Sequence, residues 1–178
     1  VLEVAPANPL RTGLPQEGIT TPCSAVFFGA SGDLFKRMLL PALYSMHLRG
    51  MLPAAFALVG FSRTAFDDDA FRDYCRKQLD LFMPQDKKPQ GPLWDDFAKR
   101  ISYVTGDFND KAHFLALKDR LEKNDAEFGT AGNHLFYLAT PPPVFPEIIK
   151  RLKEAGLDKD PKGWTRVVVE KPFGTDLE

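Results

Sequence analysis

The chain has 178 residues, 44% hydrophobic and 26% charged, enough for one substantial domain and short for two. Its formal net charge of −1 excludes a global field for nucleic acid, and no apolar run approaches the ~20 residues of a membrane span. Two cysteines, Cys23 and Cys75, are too few for a disulfide framework and read as reduced thiols of a cytoplasmic protein.

Residues 1–22 are rich in Pro, Thr and Gly and lack an apolar signal core. They read as a flexible lead-in, with Val1 pointing to an internal start, and the folded domain is expected over 23–178. Apolar runs around 24–28, 56–60, 101–105, 134–139 and 165–170 predict five strands. After the first, Leu39, Leu40, Leu43, Tyr44, His47 and Leu48 form one helix face, ended by Gly50. After the second, Phe71, Tyr74, Cys75, Leu79 and Phe82 repeat at helical spacing, with Asp67, Asp68 and Asp69 at the positive end and Pro84 beyond the other. Residues 84–92 read as a surface loop, and 93–100 as a short helix with Leu93, Trp94 and Phe97 inward. Asp110 is placed to cap a helix that turns Phe114, Leu117 and Leu121 inward. Val144, Phe145, Ile148, Ile149 and Leu152 align on the last helix, which Gly156 closes. This alternation predicts a doubly wound, Rossmann-like α/β domain, with a mainly parallel sheet and helices on both faces.

Strand, glycine turn and helix meet at Gly29-Ala30-Ser31-Gly32-Asp33-Leu34-Phe35-Lys36. Gly29 permits a tight turn, and Gly32 lets backbone amides approach a pyrophosphate. The Ser31 hydroxyl can donate to a phosphate oxygen, and Lys36 brings positive charge nearby. The motif is G-x-x-G rather than G-x-G-x-x-G, a weak signal strengthened by its place between strand and helix. Where an NAD site carries an acid at the second strand end, this chain has Ser62 and Arg63. A guanidinium matches a 2′-phosphate, so NADP is preferred to NAD. The competing reading pairs Arg63 with one of Asp67 to Asp69. His47, His113 and His134 show no metal-ligand spacing, so no metal is expected. At the fourth strand end, Phe136-Tyr137-Leu138-Ala139-Thr140-Pro141-Pro142-Pro143 offers small and rigid residues that leave room for a flat ring and fix the wall beside it; taken alone, the segment reads as a strand end before a proline-started helix. At the fifth, Glu170-Lys171-Pro172 aims a lysine out of the carboxyl edge, where open α/β sheets bind ligands.

These four segments, in this order and spacing, resemble glucose-6-phosphate dehydrogenases over roughly residues 24–178. The resemblance implies an N-terminal coenzyme domain. It implies hydride transfer from glucose 6-phosphate to NADP, giving 6-phosphogluconolactone, the first step of the oxidative pentose phosphate pathway. By it, Gly29 to Lys36 hold the pyrophosphate and the adenosine side. Ser62 and Arg63 meet the adenosine ribose and its 2′-phosphate, and Asp107 neighbours the adenine. Tyr137, Ala139 and Pro141 line the nicotinamide side. Lys171 touches both sugar and coenzyme as the catalytic lysine, with Pro172 placing them. Phe35 departs from the family's usual small residue, and Met38 from a frequent lysine. The family's general base is a histidine of a second domain, which none of the three histidines here matches. Oxidising an alcohol needs such a base, so the chain alone is expected to bind NADP without turnover. It is expected to be monomeric, the full-length protein homo-oligomeric. A short-chain reductase would carry Tyr-x-x-x-Lys, but the fourth residues after the tyrosines are Leu48, Gln78, Asp107 and Pro141. A non-catalytic NADP-sensing or scaffolding module, needing no Lys171, stays as the second reading.

Overall fold

The computed structural model describes residues 21–159 and 162–170. Most of the expected lead-in, together with Lys171 and Pro172, lies outside the described residues. Strands β1 (Cys23–Phe28), β2 (Phe56–Ser62), β3 (Ile101–Thr105), β4 (His134–Leu138) and β5 (Thr165–Val169) form one sheet. Every pairing is parallel and the order is β3-β2-β1-β4-β5. The chain winds outward from β1 to one edge, then crosses to the other side of β1. That is the doubly wound topology the alternation predicts, with a switch point between β1 and β4. β1 and β2 are buried along their whole length, as central strands covered on both faces must be.

Side chains alternating along the strands feed two cores. On one face α1 (Leu40–Leu48), α2 (Asp68–Phe82) and α3 (Gly91–Lys99) cover Phe27, Leu58 and Tyr103. On the other, α4 (Lys111–Phe128) and α5 (Phe145–Glu154) cover Phe28, Phe61 and Phe136. Asp110 is the cap the sequence predicts, and Asp67, expected only as charge at a helix start, is a cap too. Asp67 accepts from Ala70 N at 2.7 Å and Asp110 from Ala112 N at 2.9 Å. Gly50 and Gly156 follow their helices with φ of +64° and +71°. Three residues expected inward are exposed: Phe82, Leu93 and Ile149. Leu93 and Ile149 each stand about 100° around the helix from a neighbour, Trp94 or Ile148, that takes the core position. Phe82 ends α2 under the Arg37 guanidinium, 5.3 Å from its ring centroid. The 84–92 loop is shorter than expected, holding a 3₁₀ turn at Gln85–Lys87 before α3 begins at Gly91.

The first helix differs in kind. Before α1, residues Phe35–Leu39 form a π turn in which Leu40 N–H donates to Phe35 O. The cause is Pro41, which has no N–H and whose ring would meet the carbonyl of Arg37 in a regular α-helix. Widening the preceding turn removes that collision.

Candidate functional site

The carboxyl ends of β1, β2 and β4 and the loop after β3 enclose a cleft of about 560 Å³ at the switch point. It brings together Gly29, Ser31, Gly32, Ser62, Arg63, Ala139 and Pro141 from the sequence reading. Thr64 and Phe108 also line it and were not foreseen, and Thr140 joins them from the strand-end segment. Thr64 and Thr140 adjoin expected residues. Phe108 is placed by its rings against Phe28 and Phe61, centroids 6.2 and 5.9 Å away, which only the fold reveals.

Backbone geometry shapes the floor. Gly29 has φ +85°, and a Cβ there would lie 2.6 Å from Ala139 O. Its N–H donates to Phe61 O at 2.8 Å, and Ala139 N–H donates to Phe28 O at 3.0 Å. The exits of β1, β2 and β4 are thereby fastened to one another. Gly32 N–H closes the turn on Gly29 O at 2.8 Å. The next amides, of Asp33 and Leu34, sit in the first helical turn, where no intrahelical acceptor exists. Ala30 and Phe35 are fully buried, backbone included, and neither lines the cleft. Asp33 and Lys36 pair with each other at 2.6 Å, and neither lines the cleft. The hydrogen bond from Lys36 holds the Asp33 carboxyl below its usual range.

A run of hydroxyls backs the turn. Ser31 Oγ accepts from Ser62 Oγ and Thr64 Oγ1, each at 3.0 Å. Ser62 Oγ in turn contacts Tyr103 OH at 2.6 Å. From α2, Tyr74 OH donates to Ser31 O at 3.2 Å. Arg63 is exposed at the cleft's mouth. The three aspartates proposed as competitors are engaged elsewhere. Asp67 caps α2, Asp69 pairs with Arg72 at 2.8 Å, and Asp68 takes Tyr103 N–H at 2.8 Å and Arg120 at 3.0 Å. The anionic neighbour of Arg63 is Asp107. Hydrogen bonds from Asn109 N–H and Nδ2, with the Arg63 charge added, hold its carboxyl below the usual range.

Tyr137 sits apart from this cleft. Its ring stacks on Phe27, centroids 5.6 Å apart, and its OH donates to the Glu170 carboxylate. Burial, with that carboxylate beside it, pushes the phenol up to about 12. Tyr137 therefore ties β4 to the end of β5, one residue before Lys171. No histidine lines the cleft: His47 bonds Leu93 O at 3.0 Å, and His113 Nδ1 accepts Asp107 N–H at 3.1 Å. His134 lies at the opposite end of β4 in a larger hollow of about 770 Å³, away from the carboxyl edge. Among the described residues, no group of three or more His, Cys, Asp or Glu could hold a metal ion. No helix there is long and apolar enough to cross a membrane.

The site fits a dinucleotide on its own terms: a helix start with open first-turn amides, a glycine turn packed directly on the exit of β4, an exposed guanidinium, and Thr140 Oγ1 buried without a hydrogen-bond partner. Comparison with known proteins agrees. A family model described as "Glucose-6-phosphate dehydrogenase, NAD binding domain" matches residues 26–178. The chain is 42% identical over 176 residues to glucose-6-phosphate 1-dehydrogenase 2 of Mycobacterium tuberculosis, covering 96% of this chain and 33% of that protein. It is 40% identical over 170 residues to the Chlamydia pneumoniae enzyme, covering 93% and 33%. A solved glucose-6-phosphate dehydrogenase, in complex with its substrate glucose-6-phosphate, superposes with a TM-score of 0.74 at 29% identity, over 88% of this chain and 31% of that one. The chain spans about a third of the length of the curated relatives it matches.

Proposed function

Because the chain belongs to the glucose-6-phosphate dehydrogenase family, we propose that it is the coenzyme-binding part of an NADP-dependent glucose-6-phosphate dehydrogenase. The observation that carries the NADP reading is Arg63, exposed at the cleft mouth beside Ser31 and left unclaimed by Asp67, Asp68 and Asp69. A guanidinium there suits a phosphate monoester, whereas an NAD site places an acid at this strand end. Gly29, Ser31, Gly32 and the first-turn amides would hold the pyrophosphate. Asp107, beside Arg63, would border the adenine. Ala139 and Pro141 would flank the nicotinamide, with Tyr137 supporting that wall from behind. Bound there, NADP would accept hydride from C1 of glucose 6-phosphate.

Lys171 and Pro172 complete the reading as the residues that meet sugar and coenzyme together. In sequence they follow β5, whose carboxyl end lies at the same edge of the sheet as the cleft. The proton released from the sugar hydroxyl needs a base, and no histidine lines the cleft. The base belongs to the part of the protein that this chain does not span, so this chain alone does not turn over. It is monomeric, and the whole protein is a cytoplasmic homo-oligomer. Calorimetric titration tests the reading. NADP should saturate the chain, NAD should bind more weakly, and Arg63→Ala should remove most of the difference. Equal affinity for both coenzymes, unchanged by Arg63→Ala, would refute it.

A further inference from the structure

The larger hollow lies at the amino end of the sheet, opposite the coenzyme cleft, and the proposed function makes no use of it. With a volume of about 770 Å³, it opens between the second half of α4, the loop entering β4 and the loop from α5 to β5. Its two ends differ in charge. At one end Lys118 reaches from α4 over Gly156, its Nζ 3.8 Å from where a Cβ on that glycine would lie, and Lys159 follows in the same loop. Among the described residues neither Lys118 nor Lys159 pairs with a carboxylate. At the other end, seven residues and roughly 10 Å further along α4, Asp125 stands beside His134. His134 is 4% exposed and its Nε2 has no hydrogen-bond partner, although Asp125 Oδ2 lies 3.5 Å away. Asp125 is itself held, since its Oδ1 accepts from Thr130 Oγ1 and from Gly132 N–H at 3.1 Å. A buried polar atom left without a partner is costly, and one that lines a hollow calls for a partner from outside the chain.

We propose that this hollow binds a hydroxylated phosphate monoester, with the phosphate on Lys118 and Lys159 and a hydroxyl between Asp125 and His134. Two ammonium groups match the dianion that a monoester carries near neutral pH, and lysine binds phosphate as a point charge. Over the whole lining, with Glu122 and Lys162 included, three lysines face two carboxylates, so a positive excess remains for the anion. The polar end asks for a different group. Beside a carboxylate, an imidazole nitrogen favours the tautomer that carries its proton there. A hydroxyl donates to Asp125 Oδ2 and accepts from His134 Nε2–H. An ammonium only donates and a carboxylate only accepts, so neither serves both partners. Ala126 and Ala131, both exposed, give the carbon skeleton an apolar wall beside that end. The volume lies within the range of small-molecule sites. Free sugar phosphates and nucleoside monophosphates share this chemistry, and the proposal does not depend on the coenzyme reading.

The test is titration of the whole chain, followed through its amide NMR signals, with ribose 5-phosphate, adenosine 5′-monophosphate, inorganic phosphate and ribose. Ribose 5-phosphate should shift the amides of Gly132 and Gly156 saturably. It should bind roughly tenfold tighter than inorganic phosphate, the worth of a hydrogen bond to a charged group, and ribose should not saturate. At those two glycines, tighter binding of adenosine 5′-monophosphate than of ribose 5-phosphate assigns the site to nucleotides, and weaker binding assigns it to sugar phosphates. Lys118→Met and Lys159→Ala should each weaken all three phosphate ligands roughly tenfold. His134→Leu should remove the preference for ribose 5-phosphate over inorganic phosphate. Where that variant lowers the fraction folded, the comparison of the two ligands on the unaltered chain tests the same end. The absence of a saturable shift at Gly132 and Gly156, equal affinity for ribose 5-phosphate and inorganic phosphate, or undiminished binding in both lysine variants overturns the proposal. Shifts at Gly29 and Gly32 on adding NADP report the coenzyme cleft separately, so either site can fail while the other stands.

Discussion

Replacing Gly29 by alanine tests whether the cleft is held by backbone approach rather than by side chains. The residue has φ +85°, and its new Cβ would lie 2.6 Å from Ala139 O and 3.1 Å from Thr140 Cγ2. The left-handed conformation alone costs an L-residue about 1–2 kcal/mol. A carbon forced against a backbone carbonyl adds about 1–3 kcal/mol, since neither β1 nor β4 can yield without breaking the bond from Ala139 N–H to Phe28 O. The sum, about 2–5 kcal/mol, is a large share of the roughly 5–15 kcal/mol that holds a domain folded. At about 2–4 °C per kcal/mol for a chain of this size, Tm should fall by on the order of 10 °C. Gly50→Ala is the internal control: its φ is +64°, but nothing lies within 4 Å of the added Cβ. It should show the conformational cost without the collision. Urea unfolding of the two variants, with unchanged m, reads the difference directly. If they lose the same stability, the close approach of the β4 exit to Gly29 is not what demands glycine, and the account of the cleft floor is wrong.

The phenols give a second prediction. All four tyrosines, Tyr44, Tyr74, Tyr103 and Tyr137, are pushed up by burial, Tyr74 and Tyr137 to about 12. Unfolded, each would ionise near 10, so the stability they supply is complete below about pH 10 and lost as pH rises through the folded values. Tyrosinate absorbance should therefore show no step near pH 10 and should rise with unfolding; a native-state step near 10 refutes it. Asp67→Ala and Asp110→Ala should each cost about 1 kcal/mol in urea unfolding, because each removes the acceptor for a helix-start amide, whereas Asp73→Ala, exposed in mid-helix, should cost little. Cys75 is fully buried and its thiol is pushed up by that burial, so alkylation should be limited by opening of the domain and should speed up with urea.

Most of the fold is legible in the sequence because period and punctuation are local. The five apolar runs, the Asp110 cap and the two closing glycines are all found where expected, and Asp67, expected as charge at a helix start, caps that helix as well. The π turn was also signalled, by a proline two residues into an apolar helix face, but that signal carries weight only when the collision with the carbonyl four residues back is worked through. Leu93 and Ile149 were misplaced for a different reason. A short helix buries a narrow stripe, and of two adjacent apolar residues only packing decides which enters. At the site, Gly29, Ser31 and Arg63 could be read from the turn motifs. Tyr103 could not, because it reaches Ser62 from the next strand, 41 positions away. Phe108 was hidden likewise, in a loop that only the sheet order brings back over β1 and β2.

Phe35, where the resemblance implies a small residue, is accommodated by close packing elsewhere in the same layer. A small residue in this position ordinarily lets the first helix lie tight on the first strand. Here the position is filled by a fully buried ring, 5.4 Å from Phe27 and 6.1 Å from Phe71 between centroids. The first helix accommodates that bulk where its opening turn is already widened by Pro41. Contact with the sheet is then made through α2, since a Cβ on Gly60 would lie 2.4 Å from Phe71 Cζ and 2.8 Å from Tyr103 Cδ2. Phe71 thus presses onto bare backbone of β2, between Phe35 on one side and Tyr103 on the other. The glycine that allows intimate helix–sheet packing here lies in the middle of the second strand. The same aromatic layer that fills the space under α1 also packs on Tyr103, whose hydroxyl contacts Ser62 Oγ, itself bonded to Ser31. Core packing and the cleft wall are therefore joined through one set of rings, and the large residue at position 35 belongs to the layer that supports the turn.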